Sequence, residues 1–420
     1  MLTNLPRGTN DILPGETERW QWVEEQFRVA CRLYGYREIR TPVFEHTELF
    51  QRTVGESTDI VQKEMYTFTD RGGKSLTLRP EGTAGAARAY LEHSFYAEPQ
   101  PVKLFYLGPM FRFERPQSGR YRQFHQYGVE VFGAADPAVD AEVIALARHF
   151  FQRLGLQGLQ VHLNSIGCPT CRAEYRQLLA GYYQPLLPQL CEDCRGRFDR
   201  NVLRLLDCKV DVEYARTAPK LTDHLCADCQ KHLETLGGYL RELGIAYELN
   251  PQLVRGLDYY TRTVFEIIDP TLGTQGTLIG GGRYDGLVEE LGGKPTPGIG
   301  FAGGLERLLL ILEKDPQRLP PATRLDVFLA LLGSKFVPEG LRLLGRLRQA
   351  GLSADMDFLG RSLKGQLRYA SKNQARFVAL LGEEELSRGV VALKDMEQGG
   401  QVEVSIERLE KTLLERSNHR

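Results

Sequence analysis

The sequence has no excess of either charge and no long apolar run. Its 420 residues carry 53 Lys and Arg against 54 Asp and Glu, which gives a net charge of -1. A near-neutral total does not indicate a nucleic-acid-binding protein, so such a role has to rest on local basic patches. No stretch approaches the roughly 18 apolar residues of a membrane span, and the N-terminus lacks the apolar core of a signal peptide. We therefore expect a cytoplasmic protein with no membrane partner.

Cysteine occurs at 8 positions, mostly in close pairs, and a cytoplasmic protein would keep these residues as thiols or metal ligands rather than disulfides. Three pairs have Cys-x2-Cys spacing: Cys168 with Cys171, Cys191 with Cys194, and Cys226 with Cys229. The first two pairs are nineteen residues apart, a spacing typical of a four-thiolate zinc site, and Cys208 lies before the third. The pattern leaves two alternatives, a structural Zn²⁺ and unligated thiols.

Changes in composition divide the chain into three predicted parts. Residues 1–167 and 246–318 alternate strand-like and helix-like patterns, which favours a mainly antiparallel sheet surrounded by helices. Residues 168–245 are rich in Cys, Leu and Arg and predict an inserted helical subdomain. After a proline-rich linker, residues 325–420 alternate strands with amphipathic helices, as in a compact α/β domain. The predicted fold class is α+β.

Arginine is concentrated between two predicted strands, at residues 102–107 and 128–132. Four arginines and one glutamate lie between Arg112 and Arg122. Guanidinium groups bind phosphate bidentately and stay charged at any working pH, while the ring of Phe124 offers a stacking face for a base. The segment predicts a polyphosphate site; a solvated basic hairpin is the alternative.

The C-terminal domain has local positive charge. Between Lys335 and Arg376 the sequence has nine Lys or Arg and three acidic residues, a balance of +6. This excess fits a nucleic-acid surface, and solvated basic helix faces are the alternative.

Glycines at 298, 300 and 303 fit the Gly-x-Gly-x-x-Gly pattern of dinucleotide-binding loops. That fold also needs an early βαβ unit with an acidic residue after the next strand, whereas a proline-rich linker follows here. We interpret the glycines as close packing of a strand against a helix predicted at 305–313.

Six separated segments together resemble histidyl-tRNA synthetases, which are class II aminoacyl-tRNA synthetases, over essentially the whole chain. Leu253-Val-Arg-Gly-Leu-Asp-Tyr-Tyr-Thr261 and Gly281-Gly-Arg-Tyr-Asp-Gly286 are similar to the two histidine-specific signatures of that family. The others resemble the family's N-terminus, its amino-acid loop, motif 2 and motif 3, at residues 7–14, 79–83, 111–130 and 298–307.

The resemblance implies ATP-dependent ligation of L-histidine to tRNA(His) through a histidyl-adenylate, with release of AMP and pyrophosphate. It implies that Arg112 and Arg255 act at the α-phosphate and that Mg²⁺ bridges the phosphates. The ATP-binding residues it implies are Arg112, Glu114, Arg120, Phe124 and Arg307.

A histidine pocket follows from the same resemblance. Neutral imidazole has one N–H donor and one acceptor nitrogen, and the resemblance gives these edges to Glu130 and Tyr260. The implied histidine-binding set is Glu81, Thr83, Arg112, Gln126, Glu130, Arg255, Tyr259, Tyr260 and Tyr284. For Tyr259 the alternative is core packing, because adjacent residues of a strand face opposite ways.

The family is homodimeric, with motif 1, here near residues 36–50, at the interface, and its C-terminal domain binds the anticodon. The chemistry of the family does not require zinc, so the resemblance does not decide between a structural Zn²⁺ and unligated thiols. The alternative function is a histidine-binding regulatory paralogue of the ATP phosphoribosyltransferase complex. Such paralogues usually lack the histidine signatures and the anticodon module, and this sequence has both.

Overall fold

The computed structural model describes residues 3–55, 58–208, 210–321 and 324–418. They form two compact units, one ending at Pro320 and the other beginning at Pro321. No helix within these ranges combines the length and the apolar character needed to span a bilayer.

The first unit is built on a large, mainly antiparallel sheet. Strands β1 to β11 are, in chain order, Arg37–Glu38, Phe44–His46, Tyr66–Thr69, Ser75–Leu78, Val102–Phe111, Gln123–Phe132, Gln160–Ser165, Glu248–Leu249, Thr261–Ile268, Thr277–Arg283 and Gly298–Gly304. Among the described residues the large sheet has the order β1-β5-β6-β11-β10-β9-β7-β8, and β2-β4-β3 form a smaller sheet. The edge pairs β1/β5 and β7/β8 are parallel, and the other pairs of the large sheet are antiparallel. The predicted antiparallel architecture is confirmed.

Helices cover the sheet and supply its core. Helices α1 to α10 are Thr17–Leu33, Thr47–Val54, Thr83–Glu92, Pro137–Arg153, Pro169–Tyr183, Glu192–Phe198, Val212–Thr217, Ala227–Glu242, Leu287–Glu290 and Leu305–Leu312. In α1 the buried residues Val23 and Phe27 lie on one face, at i and i+4. Phe27 packs edge-on against Phe105 of β5 and Tyr127 of β6. Helices α5 to α8 follow one another in the sequence between β7 and β8, with no strand of the sheet among the residues described there.

Strands β5 and β6 are longer than the strands predicted from alternation. Each has ten residues, and Met110 and Phe111 pair with Phe124 and Gln123 at the distal end. The predicted limit at 107 was wrong because Gly108 and Pro109 interrupt the apolar alternation of β5, and the limit at 128 because His125 and Gln126 are adjacent polar residues in β6. The backbone pairing continues through both places. The loop between the strands is thereby reduced to residues 112–122.

The glycines of β11 make room for side chains of the neighbouring strand and loop. A side chain at Gly300 would overlap the Glu130 carboxylate, and one at Gly298 would overlap the ring of Tyr284. The interpretation that these two glycines serve packing against the following helix is therefore wrong.

The second unit is a mixed sheet with helices on both faces. Its strands β12 to β16 are Val327–Leu331, Ala354–Met356, Phe377–Leu381, Val390–Asp395 and Gln401–Ser405, and its helices α11 to α14 are Val337–Gln349, Leu363–Lys372, Glu383–Ser387 and Leu409–Asn418. All five residues of β12 are buried. Val327 and Leu329 pack in one cluster with the leucines of α11, whereas Phe328 and Ala330 pack in another with Ala370 of α12. Because alternate residues of a strand face opposite ways, this run is apolar without interruption.

A buried ion pair joins the sheet of the first unit to two of its helices. Arg283 at the end of β10 is fully buried, and its Nη2 lies 2.6 Å from Oδ1 of Asp140 in α4. Oδ2 of Asp140 also accepts a 2.6 Å hydrogen bond from the Thr263 hydroxyl of β9, and lies 2.9 Å from Nε2 of His232 in α8. The guanidinium donates further hydrogen bonds to the backbone carbonyl of Ala134. A buried carboxylate thus receives donors from three separate elements.

Replacing Arg283 by methionine tests this arrangement. The change keeps much of the side-chain volume but leaves the buried Asp140 carboxylate without its guanidinium partner, so we expect a loss of about 3–5 kcal/mol in the free energy of unfolding of the first unit. The control is Arg32→Met, which breaks the half-exposed pair with Glu25 and should change stability by less than about 1 kcal/mol. Denaturant unfolding measures both, and equal effects of the two changes would contradict the prediction.

Candidate active site

A cavity of about 800 Å³ lies over the central strands β6, β11 and β10. With one exception, every site residue predicted from the sequence lines its wall: Glu81, Thr83, Arg112, Glu114, Arg120, Phe124, Gln126, Arg255, Tyr259, Tyr260, Tyr284 and Arg307. The exception is Glu130, which lies just behind the wall. Residues from five separated stretches of sequence are therefore brought together.

One end of the cavity is acidic and lies at the start of helix α3. The carboxylate of Glu81 accepts hydrogen bonds from the backbone N–H of Thr83 at 2.7 Å and of Ala84 at 2.8 Å. Burial raises the pKa of Glu81, and these N–H donors oppose the rise. Beside it, the side-chain oxygen of Gln126 accepts from the backbone N–H of Gly82 at 3.1 Å. Both side chains are oriented as acceptors.

Glu130 of β6 is held by hydroxyl groups. It is 1% exposed, and its Oε1 accepts hydrogen bonds from the hydroxyls of Thr83 at 2.7 Å and Tyr106 at 3.3 Å. Its Oε2 accepts from the hydroxyl of Tyr284. Burial raises the pKa of Glu130 to about 8, against the opposing effect of the Tyr284 and Thr83 donors. The group can therefore change its charge near neutral pH.

Tyr106 is a site residue that sequence reasoning missed. Its hydroxyl lies between Glu130 and Oε1 of Gln126, 3.3 Å and 3.5 Å away, and its ring is buried. A side chain at Gly82 or Gly128 would overlap this ring. Gly128 is its cross-strand partner, so a glycine in the middle of an otherwise apolar strand was the available signal.

The opposite end of the cavity is rich in arginine. Arg112 donates from Nε to the carbonyl of Pro80 at 2.8 Å, and its guanidinium carbon lies 5.3 Å from the ring centre of Phe124. Glu114 lies between two guanidinium groups, 3.7 Å from Arg112 and 3.4 Å from Arg120. The side chain of Arg120 remains 48% exposed and can move toward a ligand.

Arg255 forms an ion pair with Glu266 of β9, a second residue that the sequence did not indicate. The other oxygen of Glu266 accepts from the hydroxyl of Thr277 at 3.1 Å, and the carbonyl of Thr277 accepts from Arg307 at 2.8 Å. A side chain at Gly280 would overlap the Arg255 guanidinium. The sequence did not indicate Glu266, because an acidic residue at an alternate position of a strand is expected to face solvent as often as a binding site.

Tyr259 and Tyr260 both line the cavity, although adjacent strand residues would face opposite ways. They precede β9, which begins at Thr261, so strand alternation does not apply to them. Their ring centres are 4.7 Å apart, and Tyr259 meets Tyr284 edge-on at 5.7 Å. The core-packing alternative for Tyr259 is therefore incomplete, because this buried ring also faces the cavity.

The insertion forms part of the cavity rim. Nη1 of Arg204 donates to the backbone carbonyl of Arg255 at 3.1 Å, and Nη1 of Arg172 donates to that of Tyr260 at 2.8 Å. These contacts link residues more than fifty positions apart along the chain. No local sequence pattern indicated them.

The cysteines of the insertion are paired differently from the order suggested by their spacing. Cys168 and Cys171 lie with the third pair, whereas Cys191 and Cys194 lie with Cys208. The combination of the first two pairs in one four-thiolate site is therefore wrong. Chain proximity was misleading because α5 and α8 start side by side.

Comparison with known proteins identifies the family. Residues 8–308 match the family described as Histidyl-tRNA synthetase, and residues 326–416 match the one described as Anticodon binding domain. The chain belongs to the histidyl-tRNA synthetase family. It is thus an aminoacyl-tRNA synthetase, a ligase that joins histidine to tRNA, and the family expected from the sequence motifs is confirmed.

Individual relatives match over almost their whole length. The chain is 58% identical over 409 residues to the histidine–tRNA ligase of Pelotomaculum thermopropionicum, covering 97% of this chain and 96% of the relative. It is 57% identical over 411 residues to that of Desulforamulus reducens, covering 97% and 98%. The crystal structure of apo S. aureus histidyl-tRNA synthetase is 40% identical with a TM-score of 0.83, covering 98% of this chain and 99% of that one. This likeness favours tRNA charging over the regulatory-paralogue alternative.

The raised pKa of Glu130 predicts a pH-dependent stability. The folded state holds the carboxyl proton up to about pH 8, whereas an unfolded glutamate releases it near pH 4.5. The contribution of this group is therefore fully present below pH 4.5 and is lost as the pH rises toward 8. We expect wild-type Tm to fall between pH 5 and 8 relative to the Tm of Glu130→Gln, which cannot ionise.

Thermal unfolding at each pH measures this difference. Glu289→Gln, an exposed glutamate of the same unit, is the matched control and should track wild type across the range. A constant Tm difference between Glu130→Gln and wild type from pH 5 to 8 would contradict the prediction.

Proposed function

We propose that this enzyme forms histidyl-adenylate from L-histidine and ATP in the 800 Å³ cavity and then transfers the histidyl group to tRNA(His). The observation that carries the proposal is the division of one cavity into two ends. A buried carboxylate held by hydroxyl groups marks one end, and arginines line the other. The first suits an imidazole ring and an ammonium group, the second a triphosphate.

The imidazole ring would bind between Glu130 and Tyr260. Oε2 of Glu130 accepts from Tyr284 and points toward Gly300, where the missing side chain opens the wall. A carboxylate oxygen has two lone pairs, so Oε2 can also accept from the ring N–H. The Tyr260 hydroxyl would donate to the other ring nitrogen.

The amino group of histidine would bind near helix α3. An ammonium group needs acceptors for its three hydrogens, and Glu81 and Gln126 supply carboxylate and amide oxygens at this place. Thr83 adds a hydroxyl between Glu81 and Glu130, and Tyr259 closes the pocket beside Tyr284. The histidine carboxylate would then point toward the arginine-rich end.

At that end, Arg112 and Arg255 would offset the repulsion between the histidine carboxylate and the α-phosphate. Arg112 follows β5 and Arg255 lies over Gly280 of β10, and these strands are three positions apart in the sheet. At about 4.8 Å per strand, the backbones of β5 and β10 are roughly 14 Å apart. This distance leaves room for a phosphate between the long side chains of Arg112 and Arg255. Two guanidinium groups fixed before the reaction stabilise charge that develops on the phosphoryl oxygens.

The remaining triphosphate would contact Arg120 and Arg307, and the adenine ring would stack on Phe124. Bound Mg²⁺ neutralises part of the phosphate charge, and its preferred ligands are carboxylate, phosphate and water oxygens. Glu114 fits that preference, because it lines the cavity between Arg112 and Arg120. We assign Glu114 as the carboxylate that would hold the ion.

The second unit would bind the anticodon end of tRNA(His). Lys364, Arg368 and Lys372 lie four residues apart on α12, so they share one face, and all three are exposed. Among the described residues none of the three has an ion-pair partner within the second unit, whereas Arg342, Arg388 and Lys411 each pair with an acid. We define Lys364, Arg368 and Lys372 as the α12 basic face.

We further propose that the enzyme is a cytoplasmic homodimer. Val43 and Phe44, which lie in the motif 1 segment, are 40% and 48% exposed, and Phe68, in the same small sheet as Phe44, is 44% exposed. Large apolar side chains in one exposed region favour contact with a second copy.

Pyrophosphate exchange into ATP, measured with each of the twenty amino acids and without tRNA, tests the active-site proposal. We expect exchange with histidine alone, and Glu130→Ala should raise the KM for histidine by about 10–100-fold with little change for ATP, because the imidazole ring loses a buried hydrogen-bond partner. Glu289→Ala is the control and should change neither value. Histidine binding without exchange would favour the regulatory function, and an unchanged histidine KM in Glu130→Ala would refute the role of Glu130.

Replacing Lys364, Arg368 and Lys372 by glutamine tests the α12 basic face. The KM for tRNA(His) should rise about tenfold or more, and its dependence on log salt should weaken by about two units, because each phosphate contact releases a counterion. Pyrophosphate exchange should stay at the wild-type rate. The triple control Arg342→Gln, Arg388→Gln and Lys411→Gln removes the same charge from residues in ion pairs, and an equal effect on tRNA would contradict the assignment.

A further inference from the structure

Seven of the eight cysteines lie between residues 168 and 229, in two separate clusters. The first cluster consists of Cys168, Cys171, Cys226 and Cys229, and the second of Cys191, Cys194, Cys208 and Asp211. Within each cluster the sulfur and carboxylate atoms lie within 4.8 Å of one another. Each cluster therefore offers four ligand atoms around one point.

We propose that the insertion binds two structural zinc ions, one through the four thiolates of the first cluster and one through the three thiolates and the carboxylate of the second.

The spacing of the sulfur atoms in the first cluster fits tetrahedral zinc. With Zn–S bonds of about 2.3 Å, the edge of a tetrahedron is about 3.8 Å. The sulfur of Cys168 lies 3.6 Å from that of Cys171 and 4.0 Å from that of Cys226. A disulfide needs about 2.05 Å, so these sulfurs are not bonded pairs. These sulfur–sulfur distances match the edge of a tetrahedral zinc site.

The second cluster has the same dimensions with one oxygen ligand. The sulfurs of Cys191 and Cys208 are 3.7 Å apart, and the Cys208 sulfur is 3.7 Å from Oδ2 of Asp211. For one sulfur and one oxygen on zinc the expected edge is about 3.5 Å. The backbone N–H of Cys191 donates to Oδ2 of Asp211 at 3.0 Å, which orients the carboxylate toward the sulfurs. Such outer hydrogen bonds are typical of metal ligands.

All three cysteine pairs use the same local geometry. Cys168, Cys191 and Cys226 are the residues just before α5, α6 and α8, and the second cysteine of each pair lies in the first helical turn. Positions i and i+3 lie on one side of a helix, so both sulfurs point the same way. The first ion would join α5 to α8, and the second would join α6 to the segment that contains Cys208 and Asp211. Four protein ligands leave no open position, which marks both ions as structural rather than catalytic.

The second cluster also connects to the active site. Cys191 and Cys208 lie on the cavity wall, and Arg204, four residues before Cys208, donates to the carbonyl of Arg255. An ion in the second cluster would therefore fix the backbone that carries Arg204. The first cluster has no residue in the cavity wall among those described.

Metal analysis of the full chain, purified without chelator, tests the proposal. We expect about two zinc ions per chain in wild type and about one in Cys226→Ser and in Cys208→Ser, with none when both changes are combined. Asp211→Cys, which replaces the oxygen ligand with a fourth thiolate, should keep both ions. Cys31→Ala removes the cysteine outside both clusters and should also keep both. Loss of the second ion alone should raise the KM for histidine, because Arg204 would no longer be held in place to donate to the backbone carbonyl of Arg255.

Titration of wild type with an organomercurial reagent gives a readout that does not depend on variants. Zinc should be released in two steps as the seven clustered thiols react. For the variants of the metal analysis, circular dichroism checks that each one is folded. Less than about 0.2 zinc per chain would overturn the proposal. The proposal would also be overturned if wild type held one zinc ion and only one of the two single variants lost it, or if the bound metal were iron. Loss of both ions in a single variant that is still folded would contradict two separate sites.

Discussion

The buried pair of Arg283 and Asp140 is the interaction on which the active site depends. Arg283 ends β10, and the next residue, Tyr284, donates to Glu130. The same carboxylate of Asp140 holds Thr263 of β9 and His232 of α8. A shift of the Arg283 backbone would move Tyr284 with it, so a fully buried charge in the core fixes the position of a pocket hydroxyl. One signature segment thus contains both the structural anchor and the ligand-facing residue.

Much of the fold could be predicted because its elements are amphipathic and locally encoded. Helix α1 has apolar residues at helical spacing before a glycine, and the buried strand β12 reads as a continuous apolar run. The extents of β5 and β6 could not be predicted, because Gly108 and Pro109 in β5 and the adjacent polar residues His125 and Gln126 in β6 interrupt the alternation. The backbone pairing of the two strands continues past these residues. Backbone pairing is nearly independent of side-chain type, so side-chain patterns underestimate it.

The candidate site was predicted where its residues lie inside the family motifs and missed where they lie outside them. Arg112, Glu130 and Arg255 were indicated by motifs, and the structure places them in or directly behind one cavity wall. Tyr106 contacts Glu130, and Glu266 forms an ion pair with Arg255. Both occupy ordinary alternate positions of strands, where core packing explains a tyrosine and solvent exposure explains a glutamate equally well. The contacts that Arg172 and Arg204 of the insertion make join segments far apart in the sequence. The periodicity of apolar residues does not indicate which distant segments meet.

The glycines of β10 and β11 have a mechanical consequence. Gly280, Gly281 and Gly282 are consecutive, and Gly300 lies on the neighbouring strand opposite Gly282. A strand without side chains gains little from packing and loses more entropy on folding, by about 0.5–1 kcal/mol for each glycine relative to alanine. Side chains from neighbouring elements fill the space at these glycines, with the Arg255 guanidinium over Gly280 and the Glu130 carboxylate over Gly300. The entropy lost at these glycines is therefore the cost of bringing two charged side chains against the backbone of the central strands, where a larger residue would exclude them.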